Sequence, residues 1–124
     1  MSFQYQQSTG EFTSDGELLA TGYSGNGAGL NNPAMQTQQG VGPVPQGNYT
    51  IEPAHDDAQV GPVAMCLVPA ATNIMFGRAD FLIHGDNAAM DHTASEGCII
   101  LDHNTRVEIS ADVLAGNNQL TVIA

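Results

Sequence analysis

The chain has 124 residues and a formal net charge of −11 at pH 7, with 42% hydrophobic and only 12% charged residues. The length predicts one domain spanning residues 1–124. The apolar content and the small share of charged residues argue against intrinsic disorder. There is no lysine, and the two arginines are Arg78 and Arg106. Such a surface repels polyanions, so we expect neither nucleic acid nor an anionic membrane as a partner.

The chain also carries no pattern for membrane insertion or general export. Its longest apolar run is too short to span a bilayer. The N-terminal MSFQYQQSTG lacks the basic and then apolar pattern of a Sec signal peptide. We therefore expect synthesis in a cytoplasm and, if the protein is exported, another route.

Fourteen glycines and six prolines separate short β-branched runs, which is typical of many short strands joined by turns. Taken in chain order, Ser14-Asp15-Gly16 predicts a hairpin turn. Residues 22–47, rich in Gly, Asn and Pro, predict a long functional or mobile loop. NYTIEPA and PVAMCLVPA predict strands, whereas DFLIHG and GCIILD are apolar enough to predict central strands.

The last third of the chain predicts a helix followed by a final strand. Asp102 is expected to cap a helix over 103–114, with Val107, Leu114 and Ala111 on its inner face. Gly116 ends this helix, and QLTVIA forms the closing strand. The predicted fold is mainly β, a β-sandwich or open barrel with one short helix.

Cys98 and His84 are candidates for a catalytic pair. A cysteine attacks as the thiolate, and it needs a base or a positive field to form that species at neutral pH. Gly97 would let the backbone approach a substrate, and amide groups near Cys98 are candidate oxyanion donors. His84 follows three apolar residues and precedes Gly85, which places its imidazole at the end of a buried strand.

Three other readings of these residues stay open. Cys98 and His84 are also consistent with core packing in a non-catalytic β-domain that binds glycan or a secretion component. His92 and His103 lie nearby, yet the spacings match no compact zinc pattern, so no metal is expected. Another cell-wall cysteine peptidase is the enzymatic alternative, although papain-like enzymes place the cysteine before the histidine.

IHG followed by SEGCIIL resembles the catalytic (YkuD-like) domain of L,D-transpeptidases. The signature of that family is a histidine, a variable stretch, and then Ser/Thr-x-Gly-Cys. Glu96 stands where a histidine is usual, and Ile100 lies where an arginine or asparagine is common. YQQSTGEF, GYSGNGAGLNNPAMQ, GPVPQGNYTI, FGRADFLIHGDN and SEGCIIL together resemble the L,D-transpeptidase effectors delivered by type VI secretion systems. This resemblance covers nearly the whole chain and implies a YkuD-like fold.

The resemblance implies a role for each matching residue. Cys98 is the nucleophile and His84 the general base, with the Gly85 carbonyl orienting the imidazole. Ser95 and Gly97 shape the turn that carries the nucleophile. Further residues are expected at the substrate cleft, although a plain turn role is the alternative for several of them: Tyr23, Ser24, Gly25, Asn32, Asp86, Asn87 and Glu96.

Three residues remain outside this set of expected roles. Arg78 either meets a substrate carboxylate or pairs with an acidic neighbour, and the second is favoured. Cys66 is expected in the core, and His92 in a solvated loop. Two cysteines are too few for a disulfide framework.

The implied substrate is the peptidoglycan stem peptide, attacked at the carbonyl of the L-centre of its diamino acid with D-alanine leaving. The resulting thioester is resolved by water or by an amine. The resemblance implies an antibacterial toxin injected into the periplasm of a target cell. It also implies an immunity protein and secretion components as partners, and no cofactor.

Overall fold

The computed structural model of the protein describes residues 2–57, 61–86 and 94–124. These residues contain ten strands and one α-helix, α1. The bounds are β1 Phe3–Gln6, β2 Glu11–Ser14, β3 Glu17–Thr21, β4 Tyr23–Ser24, β5 Gly47–Ile51, β6 His55–Asp57, β7 Gly61–Pro69, β8 Leu82–His84, β9 Ile99–Ile100, α1 His103–Leu114 and β10 Gln119–Ile123.

The strands form one sheet that curls into a nearly closed barrel. Their order is β3-β2-β1-β10-β5-β7-β8-β9-β4, and β6 pairs with β7 outside this path. Two neighbouring pairs are parallel, β1 with β10 and β8 with β9. The other pairs among the described strands are antiparallel. The expectation of a mainly β fold with one short helix is confirmed.

The strand predictions are largely confirmed, but β4 and β6 were not predicted. Asp15 and Gly16 both have positive φ, 49° and 83°, as a type I′ hairpin turn between β2 and β3 requires. The predicted loop over 22–47 is instead interrupted by β4 and by 3₁₀ turns at Gly27–Gly29 and Pro33–Met35. A strand of two residues is too short to leave an alternating pattern in the sequence, so β4 could not be predicted.

The core fills the inside of the curled sheet. Strand residues alternate between the inner and outer faces, so every second side chain points inward. The largest fully buried apolar side chains are Tyr5, Tyr49, Phe3, Phe12, Ile51, Met65, Ile83, Ile99, Ile109 and Leu120. Ile109 comes from α1, which packs against β7.

The helix begins and ends where the sequence predicts. The Asp102 carboxylate caps it by accepting the Thr105 N–H at 3.0 Å, and Gly116 follows the helix with a φ of 101°. The predicted inner face is wrong, however. Val107 and Leu114 are 48% and 73% exposed, and Ala111 is exposed as well.

The side chains that α1 buries are Thr105, Arg106, Ile109 and Val113. Arg106 turns inward because main-chain carbonyl oxygens satisfy its guanidinium there. An apolar pattern alone cannot anticipate a buried cation. In the part of the chain that the structure describes, no helix has the length and apolar character needed to cross a membrane.

Candidate functional site

His84 and Cys98 line the same cleft, which has a volume of about 580 Å³. In the parallel pair β8–β9, Ile83 lies opposite Ile99, so Leu82 lies opposite Cys98. Because residues two apart on a strand share a face, the Cys98 and His84 side chains are diagonal neighbours, about 7–8 Å apart at the backbone. Such a separation is within the combined reach of an imidazole and a thiol on the same face.

The His84 ring is fixed from its backbone side. Its Nδ1 lies 2.8 Å from the carbonyl oxygen of Gly85, which is the contact expected from the sequence. This contact assigns the proton to Nδ1 and leaves the Nε2 lone pair as the basic site. The pKa of His84 is lowered mainly by burial, and the Arg106 cation lowers it further. The Gly85 hydrogen bond, Asp57 and Asp86 act in the opposite direction.

The Cys98 thiol accepts a hydrogen bond from the Leu82 N–H, with the nitrogen 3.4 Å from Sγ. Burial raises the pKa of Cys98, and the nearby Glu96 and Asp57 carboxylates raise it as well. The Leu82 N–H lowers this pKa because it favours the thiolate. With the thiol pKa raised and the imidazole pKa lowered, the resting pair is a neutral thiol beside a neutral imidazole.

Ser95 organises the turn that carries Cys98. Its hydroxyl donates to the Cys98 carbonyl at 2.6 Å and accepts the N–H groups of Gly97 at 3.1 Å and Gly25 at 2.9 Å. The side chain is fully buried. Because the Gly97 N–H already has this partner, it is not free to act as an oxyanion donor.

Ser24 and Gly25 support this turn and do not line the cleft, so that prediction is corrected. The Ser24 hydroxyl donates to the Gly97 carbonyl at 2.8 Å and accepts the Val44 N–H at 2.9 Å. The Gly25 N–H binds the Ser95 hydroxyl. These polar groups are buried, and their hydrogen bonds to the turn offset the cost of removing them from water.

Tyr23 and Asp86 line a second cleft, of about 760 Å³, rather than the one that holds His84 and Cys98. The Tyr23 hydroxyl donates to Asp86 Oδ1 at 2.7 Å and accepts the Ala94 N–H at 3.2 Å. It thereby joins the two residues that flank positions 87–93. Two predicted residues in that interval, Asn87 and His92, lie outside the described residues.

The predicted place of Asn32 in the cleft is wrong. Its side chain caps a 3₁₀ turn, accepting the Ala34 N–H at 3.1 Å and donating to the Ala28 carbonyl at 3.0 Å. Glu96 is exposed and does line the cleft beside Cys98.

Arg78 lines the cleft, but its guanidinium binds backbone carbonyls rather than the acidic neighbour that the sequence favoured. Its guanidinium is 5% exposed and stacks over the Phe81 ring at 5.1 Å. Within the described residues, it donates to backbone carbonyls of four residues, Gln36, Gly42, Pro43 and Glu96, at 2.7–3.1 Å. A Cβ at Gly97 would lie 2.7 Å from Nη2 of Arg78, so the glycine is required at this contact.

Two residues near the site were not found from the sequence. Asp57 of β6 lines the cleft and faces both His84 and Cys98 electrostatically. Its segment, HDD, carries no motif. Arg106 contacts Gly85. The sequence feature that could have pointed to Arg106 is that it is one of only two Lys or Arg residues in the chain.

Cys66 is half-buried and is not a core residue as predicted. Cys66 lies on β7, opposite Leu82 of β8. Leu82 in turn lies opposite Cys98, so β8 separates the two cysteines. Two strand spacings give about 10 Å between their Cα atoms, whereas a disulfide needs less than about 7 Å. Both thiols are free.

Among the residues that the structure describes, no group of three or more His, Cys, Asp or Glu side chains is arranged to hold a metal ion. The cleft itself presents a thiol, an imidazole and the Leu82 N–H beside the sulfur. This set of groups suits acyl transfer through a thioester.

Replacing Ser95 with alanine should destabilise the protein. The change strands the buried Gly25 and Gly97 N–H groups, which costs about 1–3 kcal/mol for each group left unsatisfied. Ser95→Thr keeps the hydroxyl and should recover most of the loss. Urea unfolding of the three proteins measures this difference. Equal stability of Ser95→Ala and the parent would contradict the assigned role.

Iodoacetamide should alkylate the native protein once, at Cys98. The Leu82 N–H stabilises its thiolate, whereas the pKa of Cys66 is raised by burial and by Glu52, Asp57 and Asp80. Because the pKa of Cys98 is itself raised, its thiolate fraction and the labelling rate should keep climbing at pH values where an exposed thiol has already levelled off. Peptide mapping across a pH series measures both features. Faster labelling of Cys66 would reverse the assignment.

A comparison with family models identifies the chain. The model described as the Tlde1 domain matches residues 19–124, from within β3 to the C-terminal residue. No curated protein and no solved structure gives a match. The family comprises type VI secretion effectors with L,D-transpeptidase-like activity. Because the match spans most of the chain, this protein belongs to the Tlde1 domain family.

Proposed function

We propose that the protein is an L,D-carboxypeptidase and L,D-transpeptidase that acts on peptidoglycan tetrapeptide stems, with Cys98 as nucleophile and His84 as general base. The observation that carries the proposal is the shared cleft, where the thiol and an imidazole locked as the Nδ1–H tautomer stand on one sheet face. Membership of the Tlde1 domain family supports the same chemistry.

Acylation begins from the neutral pair. Nε2 of His84 takes the proton of the Cys98 thiol as Sγ attacks the carbonyl carbon of the L-centre of the stem's diamino acid. The tetrahedral intermediate collapses, the bond to the nitrogen of D-alanine breaks, and His84 returns the proton to that leaving amine. A thioester joins Cys98 to the tripeptide stem. The Leu82 N–H, 3.4 Å from Sγ, favours the thiolate as it forms.

Deacylation reverses these roles. Water or an amine attacks the thioester carbon while Nε2 of His84 takes its proton, and the sulfur leaves as thiolate before it is reprotonated. Attack by water yields a tripeptide stem. Attack by a free D-amino acid yields a tetrapeptide with an exchanged terminal residue.

Acidic side chains at the cleft favour small acceptors. Asp57, Asp80 and Glu96 line it, while the one cation there, among the described lining residues, is Arg78, whose donors face backbone carbonyls. A second stem peptide carries carboxylates of its own, so its entry is electrostatically unfavourable. Water carries no charge, and the single carboxylate of a free D-amino acid is balanced by its own ammonium group, so the penalty is smaller for both. Stem-to-stem crosslinking should therefore be minor.

The proposed setting is the periplasm of a target cell, reached by type VI secretion, with a cognate immunity protein in the producing cell. Family membership supports delivery as an effector. Trimmed or exchanged tetrapeptides no longer serve as donors for the target's own L,D-crosslinks, which accounts for toxicity.

His84→Ala should lower the rate of D-alanine release by roughly 10²–10⁴-fold, because removal of a general base typically costs that much. His92→Ala is the matched control and should keep most of the activity. The acid limb of the kcat/KM profile should lie below the pH at which an unperturbed histidine titrates. The lowered pKa keeps His84 neutral, and therefore basic, to lower pH. Equal losses in the two variants would reassign the base.

The test of the activity is digestion of purified tetrapeptide muropeptides with and without added D-methionine. Mass spectrometry should detect tripeptide in both reactions and the D-methionine-exchanged tetrapeptide in the second. Neither product should form with Cys98→Ala. A product mixture dominated by stem-to-stem dimers would overturn the acceptor preference, and glycan cleavage would overturn the proposed chemistry.

A further inference from the structure

Arg106 lies at the point where three segments of the site converge. It is 7% exposed, on the first turn of α1. Its Nε donates to the Leu101 carbonyl at 3.1 Å, directly after β9. Its Nη1 donates to the Pro62 carbonyl at 2.7 Å and approaches the Val63 carbonyl at 3.3 Å, at the start of β7.

The third segment is the turn after β8, where the guanidinium packs against Gly85. A Cβ placed on Gly85 would lie 2.6 Å from Nη2 and 3.0 Å from Cζ of Arg106. Contacts this short are not tolerated between real atoms, so the backbone of Gly85 rests on the guanidinium in a way that only glycine allows. The same residue presents its carbonyl oxygen to Nδ1 of His84.

The backbone beneath Arg106 is also strained. Val63 has a φ of 56°, a conformation that is strongly unfavourable for a β-branched residue. Such a conformation persists where the surroundings over-determine it. The hydrogen bonds from Nη1 to the Pro62 and Val63 carbonyls are part of that constraint, and they tie β7, whose partner β6 carries Asp57, to α1.

We propose that Arg106 is a positioning residue for the base of the proposed reaction: its guanidinium fixes the turn after β8, so that the Gly85 carbonyl holds the His84 ring in its reactive tautomer and orientation. The proposal rests on the function assigned to the cleft above. Arg106 acts through Gly85 and contacts no reacting atom.

The positive charge of Arg106 also supports the proposed role of His84 as a base, because it favours the neutral imidazole. Among the described residues, the charged groups that act on His84 are Arg106 from α1, Asp57 from β6 and Asp86 from the segment after β8, and the Cys98 thiol lines the same cleft. Arg106 lowers the pKa of His84, while Asp57 and Asp86 raise it. The cation therefore offsets the two carboxylates and helps to keep the imidazole neutral.

Arg106→Lys keeps the charge but loses the planar fork that binds separate carbonyl oxygens at once. We expect kcat for D-alanine release to fall by about 100-fold, since small misplacements of a catalytic group cost about that much, with KM changed less than about threefold. Gly85→Ala should produce a similar loss, because its Cβ pushes the guanidinium away from the turn. Glu108→Gln, at an exposed position on the same helix, is the matched control and should keep the parent activity.

The double variant Gly85→Ala/Arg106→Lys isolates the contact itself. A lysine has no Nη2 atom to meet the added Cβ, so the combined loss of kcat should be clearly smaller than the product of the two single losses. Thermal unfolding of each variant corrects the rates for any unfolded fraction. Losses that multiply, or single losses that disappear after this correction, would overturn the proposal.

A readout without catalysis separates this inference from the proposed activity. Long-range ¹H–¹⁵N spectra report the tautomer and the pKa of His84. Arg106→Lys and Gly85→Ala should each reduce the Nδ1–H population, and Arg106→Met should raise the His84 pKa because the cation is gone. If the parent protein releases no D-alanine, the proposed function fails and these spectra alone decide the inference. An unchanged tautomer in both single variants would overturn it.

Discussion

Two buried guanidinium groups hold the site together through main-chain carbonyl oxygens. Arg78 and Arg106 are the only lysine or arginine residues in a sequence of net charge −11, and both are at most 7% exposed. Each packs against a glycine, Arg78 against Gly97 and Arg106 against Gly85. Hydrogen bonds to a charged donor contribute about 1.5–3 kcal/mol each. The glycines adjoin the two proposed catalytic side chains, so the cations fix the backbone behind them rather than the substrate.

Because both cations bind backbone carbonyls, the cleft stays acidic, and this affects the pKa values of the proposed catalytic pair. Carboxylates and burial raise the pKa of Cys98, while burial and the Arg106 charge lower that of His84. The proposed pair therefore rests neutral, and the thiolate forms only as the proton moves to Nε2. The same carboxylates are expected to disfavour a second stem peptide, which is why hydrolysis and D-amino-acid exchange are the reactions proposed.

Local chemistry made much of this structure predictable from the sequence. The turn at Asp15 and Gly16, the cap at Asp102 and the apolar run of β7 all act within a few residues. Long-range hydrogen bonds could not be predicted. Ser24 binds a carbonyl 73 positions away, so its role as support for the nucleophile turn left no local pattern. The inner face of α1 was mispredicted for the same reason, because the partners that make the burial of Arg106 favourable come from distant segments.

The central claim is that Cys98 carries the stem peptide as a thioester, and trapping that intermediate tests it most directly. The protein is mixed with a purified tetrapeptide muropeptide, quenched in acid during turnover, and examined by intact mass and peptide mapping. The account predicts a mass increase equal to the tripeptide-stem acyl group, located on Cys98, together with released D-alanine and the loss of both signals in Cys98→Ala. Continued release of D-alanine by Cys98→Ala, or an acyl group on another residue, would contradict it.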